Sequence, residues 1–190
     1  VPDLQKRIRK AKETMEIYAP LADRMGMNSI RDELEDLSFQ KLNPEARNLV
    51  VERLSTNKKN RENSFKEITK KFIKILKNSG VKAKIIGREK TPFSIWRKMQ
   101  SKRVSLEQLT DIIGFRVIVD DVDACYKALG LFHTNWSAIP GRFKDYISTP
   151  KINNYKSIHT SVIGPNKERI EIQIRTQQMH DFAERGIASH

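Results

Sequence analysis

The sequence predicts an α+β protein in which a mixed β-sheet is flanked by helices and preceded by an all-helical segment. Before Gly80, apolar residues recur at helical spacing, as at Ile68 and Phe72. After Gly80 the period changes to two, and short strand-like runs alternate with helical runs. From these observations we predict a helical connector at residues 1–60 and a sheet-containing domain at residues 61–190.

The helical segment carries residues that start and stop helices. Residues 4–18 are rich in Lys, Arg, Glu and Ala, and Pro20 interrupts or restarts the helix that they form. Asn28 or Ser29 is expected to cap the next helix through its side-chain oxygen. Pro44 suits the first turn of a further helix. The segment is therefore expected to be a series of helices joined by short turns.

The rest of the chain alternates between strands and helices. Gly80 stands where a helix C-terminal cap belongs, and strand alternation begins at Val81. Ser105 and Gln108 match a capping-box pattern, which indicates the start of a helix. The predicted strands are 81–87, 114–119, 157–163 and 169–175, and the predicted helices are 94–100, a segment from 105, 122–133 and 177–188.

The bulk properties restrict the class of protein. Hydrophobic residues make up 38% of the 190 residues and charged residues 31%, which is polar for a globular protein but not typical of disorder. No apolar run approaches the roughly 20 residues that span a membrane, and we find no secretory signal. Cys125 is the single cysteine, so neither an intrachain disulfide nor a cysteine-rich metal site can form. We therefore expect a cytoplasmic protein without a membrane partner.

The charge balance indicates an anionic partner. The formal net charge is +13, from 36 Lys and Arg against 23 Asp and Glu. Nucleic acid, anionic lipid and nucleotide phosphates are all compatible with this excess. Charge alone favours nucleic acid, whereas the motifs described next favour nucleotides.

Residues 87–90 (Gly-Arg-Glu-Lys) connect the first predicted strand to the helix that contains Ser94 and Lys98. Glycine lets the backbone approach a ligand closely, and Arg88 and Lys90 are complementary to phosphate oxygens. The N-terminus of the following helix would add a field that favours anions. The spacing is not that of a P-loop, and taken alone the segment is more simply an exposed basic turn.

Carboxylates accompany two of the predicted strands. Asp111 precedes the strand that contains Arg116, and a carboxylate at a strand edge can bind Mg²⁺, although for this residue taken alone an aspartate in a helix-to-strand turn is the simpler explanation. Glu171, Gln173 and Arg175 alternate with isoleucines, which places the three polar side chains on one face of a strand. Near a metal site, Glu171 could hold the ion or act as a base, and otherwise this face is solvated.

Residues 151–159 combine side chains that suit a nucleotide. Tyr155 can stack on a base, and Asn153 can pair with a base edge. Lys151 and His159 can contact phosphate. A single tyrosine or histidine would more often be a packed residue, but the set together favours nucleotide binding.

Together and in this order, these segments resemble the synthetase domain of RelA/SpoT-homologue enzymes. The resemblance covers essentially all of the chain after about residue 80, and the joint order and spacing of the segments are highly specific. It implies a nucleotidyltransferase-like sheet domain. The matching residues lie within 87–99, 111–117, 129–134, 139–147, 150–159 and 171–184.

The helical segment resembles the connection between the hydrolase and synthetase domains of the same family, at residues 18–26 and 33–39. The family's hydrolase uses a His-Asp metal motif, whereas all four histidines of this chain lie in the synthetase-like part. Residues 142–145 (Arg-Phe-Lys-Asp) resemble the basic version of a segment that accompanies bifunctional enzymes. The chain therefore resembles an enzyme of the bifunctional type, with hydrolase and synthetase domains, that lacks its hydrolase domain. We predict that this chain alone does not hydrolyse the guanosine nucleotides, called alarmones, on which the hydrolase acts.

The resemblance implies an activity, a cofactor and a set of site residues. The activity is transfer of the β,γ-pyrophosphate of ATP to the ribose 3′-hydroxyl of GTP or GDP, which gives the alarmones (p)ppGpp, with Mg²⁺ as cofactor. Asp111 and Glu171 match the family's catalytic and metal-binding carboxylates, and Tyr155 matches the residue that stacks on guanine. The implied ATP-binding residues are Arg88, Lys90, Ser94, Lys98 and Arg116, and the implied GTP- or GDP-binding residues are Lys144, Tyr146, Lys151, Asn153, Tyr155, His159 and Gln173.

Two alternatives stay open. The chain could be a truncated, inactive remnant that binds guanine nucleotides, or a basic RNA-binding module that uses residues 58–61 and 98–103. No recognised RNA-binding motif is found, so we expect ATP and GTP or GDP as partners rather than nucleic acid. Asn154 stands where the family commonly has glycine, which asparagine can replace because it tolerates a positive φ. The sequence leaves open the oligomeric state and the choice between GTP and GDP.

Overall fold

The spacing of apolar residues changes at Gly80, and in the structure a helix ends just before this residue and a strand begins just after it. The predicted α+β class is confirmed. The computed structural model describes residues 3–109 and 113–186. These residues form two compact units, which we call the helical unit and the sheet unit. The division into domains at residue 60 stays a prediction. The helical unit contains residues 3–57, 90–109 and 181–186, and the sheet unit contains residues 58–89 and 113–180.

The helical unit begins with helices joined by very short connections. They are α1 (Leu4–Glu13), a π-helical turn (Thr14–Tyr18), α2 (Ala19–Arg24), α3 (Asn28–Leu42) and α4 (Pro44–Thr56). The π-helical turn closes with a hydrogen bond from the Ala19 N–H to the Thr14 carbonyl, so α1 continues into α2. Pro20 lies in the first turn of α2, where a missing N–H is tolerated, and the interruption predicted there takes the form of the π-helical turn just before it.

The predicted cap of α3 is wrong by one residue. The helix begins at Asn28 itself, so neither Asn28 nor Ser29 is the cap, and Met27 occupies that position without a side-chain hydrogen bond. The Asn28 side-chain oxygen accepts from the Arg31 guanidinium at 3.3 Å instead. Pro44, by contrast, occupies the first turn of α4 as predicted.

Two further elements of the helical unit follow the first strand in sequence. They are α6 (Pro92–Lys102), which contains the predicted helix 94–100, and a 3₁₀-helix (Leu106–Gln108). The capping box of Ser105 and Gln108 is present as predicted, but the helix that it starts ends after one turn. It ends because Leu109 adopts an extended conformation, with φ −79° and ψ 117°.

The sheet unit contains five strands in the order β1-β2-β5-β4-β3. Its elements are α5 (Lys58–Asn78), β1 (Ala83–Glu89), β2 (Ile113–Val119), α7 (Val122–Asn135), β3 (Lys144–Asp145), β4 (Ile158–Ile163), β5 (Arg169–Thr176) and the start of α8 (Gln177–Arg185). β2 and β5 are parallel, and the other pairs are antiparallel. The mixed sheet expected from the sequence is thus confirmed.

β1 starts and ends two residues later than predicted. At the end of α5 the Val81 N–H donates to the Leu76 carbonyl at 2.9 Å, and Gly80 has a φ of +75°. Val81 is therefore part of the helix cap and cannot begin the strand. At the other end, Gly87 is paired with β2 inside the strand rather than ending it. β3 was not predicted, because a strand of two residues is too short to show an alternation of polar and apolar side chains.

The core lies on one face of the sheet, beneath α5 and α7. Ile170, Ile172 and Ile174 are at most 2% exposed, and each such buried side chain stabilises the fold by roughly 1.5–3 kcal/mol. Helix α5 contributes the apolar stripe predicted from its periodicity. Within the described part of the chain, no helix is long and apolar enough to cross a membrane. The core residues of the two helices are Ile68, Phe72, Leu76, Cys125, Ala128 and Phe132.

Gly87 is required by the packing of Phe65, whose ring stacks on Phe115 with centroids 5.0 Å apart. A Cβ at position 87 would lie 2.2 Å from the Phe65 ring. We expect Gly87→Ala to lower the free energy of unfolding by about 1–3 kcal/mol, because the stacked ring cannot move without loss of packing. Urea unfolding measures this loss. Adding Phe65→Leu should recover part of it, and equal stability of Gly87→Ala and the parent chain would contradict the packing described.

Candidate functional site

The sheet face opposite the core is lined with polar side chains. Because successive side chains of a strand point to opposite faces, Glu171 and Gln173 point away from the isoleucine core. In the register of the sheet, Gln173 lies between Arg116 of β2 and His159 of β4. The polar face of β5 predicted from the sequence is therefore the centre of a polar surface that continues over its neighbours.

The outer strands extend this surface on both sides. Arg88 of β1 pairs with Gly114, which itself pairs with Glu171. At the other edge, Lys144 of β3 pairs with His159. We call this surface the polar face, and it consists of Arg88, Arg116, Lys144, His159, Glu171 and Gln173.

Two tyrosines, a histidine and a lysine form a cluster beside the polar face, which we call the tyrosine–histidine cluster. The Tyr155 hydroxyl and His159 Nε2 share a hydrogen bond of 2.7 Å. The Tyr146 ring lies edge-on to the His159 ring, with centroids 5.2 Å apart. Lys151 Nζ lies 4.9 Å from the centroid of Tyr146 and 5.1 Å from that of Tyr155. The structure thus brings together four residues that the sequence predicted for GTP or GDP.

Hydrogen bonds within the loop before β4 hold the residues of this cluster in place. The Tyr155 N–H donates to the Asn153 side chain at 3.1 Å, and the Asn154 N–H donates to the Lys151 carbonyl at 2.9 Å. Asn154 has a φ of +63°, so its backbone is in the left-handed region that glycine or asparagine adopts most readily. The substitution of asparagine for the common glycine is therefore compatible with the loop.

Arg175 is a site residue that the sequence analysis did not select. Its side chain is 1% exposed, and its guanidinium carbon lies 5.7 Å from the centroid of the Tyr155 ring. It also donates to the Gln173 side-chain oxygen. Alternation in β5 correctly placed Arg175 on the same side of the sheet as Glu171 and Gln173, but the pattern could not show that this end of the strand is covered. A buried cation thus lies behind Tyr155.

His159 is held neutral near neutral pH. Burial, followed by the positive charges of Arg175, Lys151 and Arg88, lowers its pKa to about 4 from an ordinary value of 6.5, against an opposing effect of Glu171. The imidazole therefore serves as a hydrogen-bonding group at neutral pH and contributes no positive charge to the site. The contact with phosphate that the sequence predicts for His159 would then be a hydrogen bond rather than an ion pair.

This shift predicts a pH-dependent stability. Below pH 6.5 the imidazole takes up a proton in the unfolded chain but stays neutral in the folded chain until about pH 4. We therefore expect the free energy of unfolding to fall as the pH falls through this range, by on the order of 3 kcal/mol. Urea unfolding at several pH values measures the slope. His159→Gln should remove most of it and His133→Gln little, and a slope unchanged in His159→Gln would contradict the assignment.

Glu171 occupies the middle of the polar face and is half-buried. Asp111, the other predicted metal-binding carboxylate, lies outside the described residues. It precedes Gly114 by three residues, and Gly114 is the register partner of Glu171. Within the described ranges, no group of three His, Cys, Asp or Glu side chains could hold a metal ion. Whether Asp111 and Glu171 act together stays a prediction.

Three of the predicted ATP-binding residues belong to the helical unit. Lys90 follows β1, and Ser94 and Lys98 lie on α6. Ser94 is in the first turn of that helix, where its N–H donates to the capping side chain of Thr91 at 3.2 Å. Residues 87–89 of the motif lie inside β1 rather than in a connecting turn, so the predicted connection to the helix is shorter than expected. The role of Lys90, Ser94 and Lys98 in ATP binding stays a prediction.

A cavity of about 260 Å³ lies next to Arg88 in the sheet unit. Its lining includes the apolar side chains of Phe65 and Ile113 and the basic side chains of Lys58 and Lys66. Two further lining residues, Arg61 and Glu89, form an ion pair of 3.0 Å.

Comparisons with known proteins identify the family. The family profile described as "Region found in RelA / SpoT proteins" matches residues 87–190. The chain is 54% identical over 185 residues to the GTP pyrophosphokinase rsh of Brucella melitensis, an alignment that covers 97% of this chain and 25% of that protein. It is 45% identical over 186 residues to the GTP pyrophosphokinase of Myxococcus xanthus, which covers 98% of this chain and 25% of that protein. The chain therefore spans about a quarter of the length of these relatives.

A solved structure shares the fold. The crystal structure of small alarmone synthetase 2 from Bacillus subtilis matches with a TM-score of 0.53 and 27% sequence identity. The match covers 67% of this chain and 76% of that one. The similarity to this structure supports the α+β architecture expected from the sequence.

Proposed function

The chain belongs to the RelA/SpoT family, and we propose that it transfers the β,γ-pyrophosphate of ATP to the ribose 3′-hydroxyl of GDP or GTP. The observation that carries the proposal is the register of the sheet, in which Gln173 lies between Arg116 and His159, and Glu171 lies two residues from Gln173 on the same face. A carboxylate between an aromatic site and a basic site suits transfer between two nucleotides.

The acceptor nucleotide is assigned to the tyrosine–histidine cluster. Aromatic rings bind a purine by stacking, and Lys151 supplies a positive charge within 5.1 Å of the Tyr155 ring. His159 offers a neutral hydrogen-bonding group at the same place. Asn153 is proposed to contact the base edge, as the resemblance implies. The remaining residues proposed for the acceptor are Lys144, Tyr146, Tyr155 and Gln173.

ATP is assigned to the basic side of the polar face. Arg88 and Arg116 lie on β1 and β2, on the far side of Glu171 from β4. Guanidinium groups bind phosphate oxygens in a bidentate manner and also stack on rings. Lys90, Ser94 and Lys98 are also proposed to bind ATP, on the basis of the resemblance alone.

A magnesium ion fits the donor set that the chain offers. Mg²⁺ is usually bound by one or two carboxylates together with substrate phosphates and water, so Asp111 and Glu171 would be sufficient protein ligands. Asp111 is three positions before Gly114, the register partner of Glu171, a chain length that spans at most about 10 Å. When bound, the ion would neutralise phosphate charge during transfer.

The proposed reaction balances as a single displacement. The 3′-hydroxyl oxygen forms a bond to the β-phosphorus of ATP, the bond between that phosphorus and the α–β bridging oxygen breaks, and AMP leaves. The hydroxyl proton passes to a base, for which Glu171 is proposed where it does not serve as a metal ligand. Two polyphosphates repel each other, so the main task of the basic residues is to hold them in line.

The proposal is tested by incubating the chain with Mg²⁺, γ-labelled ATP and GDP, then separating the nucleotides by chromatography. We expect label in ppGpp, no labelled product with 3′-deoxy-GDP, and no product from Asp111→Ala. Label that appears only in free phosphate would contradict pyrophosphate transfer. Saturable GDP binding without product would favour the inactive remnant, and binding of RNA in place of GDP would favour the RNA-binding module.

A further inference from the structure

Asp145 lies between two residues of the proposed acceptor site, Lys144 and Tyr146. Lys144 pairs with His159 on the polar face, and Asp145 pairs with Ile158 of the core face. Because side chains alternate along a strand, the carboxylate of Asp145 points to the side of the sheet that carries α7. Asp145 is therefore behind the site and cannot bind the acceptor directly.

The Asp145 carboxylate organises the turn that follows it. One oxygen accepts from the Ile147 N–H at 2.9 Å and from the Ser148 N–H at 3.0 Å. The Asp145 carbonyl also accepts from the Thr149 N–H at 3.4 Å. This pattern is that of an aspartate-stabilised turn, and the residue inside the turn whose orientation it determines is Tyr146.

The second carboxylate oxygen of Asp145 connects the turn to α7. It accepts a hydrogen bond from the Tyr126 hydroxyl at 2.8 Å. Tyr126 lies on α7, whose opposite side is anchored in the core by Cys125 and Ala128. The turn is thus attached to a helix that the core holds in place.

The charge state of Asp145 agrees with these contacts. Burial alone would raise its pKa, but hydrogen bonds from Ser148, Tyr126 and Ile147 outweigh burial and hold the pKa below its ordinary value. The carboxylate is therefore ionised near neutral pH, and hydrogen bonds to an ionised acceptor are stronger than neutral ones.

We infer that Asp145 and Tyr126 are positioning residues for the acceptor nucleotide: together they fix the turn that presents Tyr146 to His159 and Lys151. The inference rests on the proposed function, since it concerns the same acceptor site. Its specific content is that a tyrosine on α7, remote from both substrates, controls affinity for the guanine nucleotide. Affinity for ATP is not affected.

Tyr126→Phe is the sharpest test, because it removes one hydroxyl and leaves the ring. We expect the dissociation constant of GDP, measured by calorimetry, and its KM to rise about threefold to tenfold, with kcat at saturation and the KM for ATP unchanged. Asp145→Ala should raise both constants about 10- to 100-fold, and Asp145→Asn, which keeps an acceptor oxygen, should recover part of that loss. The matched control is Tyr18→Phe on the helical unit, which should behave as the parent chain.

The outcomes separate this inference from the proposed function. GDP binding without product would contradict pyrophosphate transfer, and the GDP dissociation constants would still test the positioning role. If Tyr126→Phe and Asp145→Ala bind GDP as the parent does, the inference is overturned even where pyrophosphate transfer is intact. Equal losses of GDP and ATP affinity would also overturn it, since they would indicate general loosening. Amide hydrogen exchange at Ile147 and Ser148 checks the mechanism, and it should accelerate in both variants.

Discussion

Replacement of Glu171 by glutamine is expected to lower the rate of pyrophosphate transfer by about 10²- to 10⁴-fold while the chain still folds and binds GDP. Glutamine preserves the size of the side chain but can neither accept a proton nor offer a negative oxygen to a cation. Glu171 is half-buried at the centre of the polar face, so the change should affect the chemical step more than binding. Steady-state kinetics with GDP titration by calorimetry measures both.

Glu168→Gln is the matched control for this prediction. Glu168 is an exposed carboxylate just before β5, and it accepts a hydrogen bond from Ser64 at 2.9 Å. Its replacement should leave the kcat unchanged within about twofold. A Glu171→Gln enzyme that keeps a comparable kcat would show that the carboxylate has no part in the reaction.

Replacement of Arg175 by alanine is expected to lower the free energy of unfolding by about 3 kcal/mol or more. The side chain is 1% exposed, so its loss leaves a cavity behind Tyr155 and removes the donor to Gln173. The same change should raise the pKa of His159, because the positive charge of Arg175 is one cause of its low value. Urea unfolding measures the first effect, and NMR titration of the imidazole measures the second.

Arg169→Ala provides the control on the same strand. Arg169 is the exposed first residue of β5, and its loss should change the stability by less than about 0.5 kcal/mol. If Arg175→Ala were as stable as Arg169→Ala, the buried position of the guanidinium would be wrong. If the His159 pKa stayed near 4 in Arg175→Ala, the charge of Arg175 would have no part in the shift, which burial and the charges of Lys151 and Arg88 would then explain.

The strands that form the site were readable from local pattern. The isoleucines of β5 alternate with polar residues, so Ile172 is buried on one face of the sheet while Glu171 points to the other. The prediction that a helix ends at Gly80 is correct, because the φ of +75° at this residue is a conformation that residues with a side chain avoid. Such features depend on residues close in sequence, which is why they could be predicted.

The features that could not be predicted depend on pairing between distant residues. The strand order joins β2 to β5 across more than 50 residues of sequence, and it is this pairing that places Arg116 beside Gln173. Tyr126 and Asp145 are 19 residues apart, with no local signal that they share a hydrogen bond. The burial of Arg175 likewise follows from the tertiary packing around Tyr155.

The most direct test of pyrophosphate transfer is ³¹P NMR of the chain with ATP, GDP and Mg²⁺, recorded as the reaction proceeds. We expect AMP to appear in step with the resonances of a new diphosphate group at the 3′ position of guanosine. We also expect Glu171→Gln to slow both signals equally. Appearance of ADP in place of AMP would mean that a single phosphate is transferred, and it would contradict the assignment of this polar face to pyrophosphate transfer.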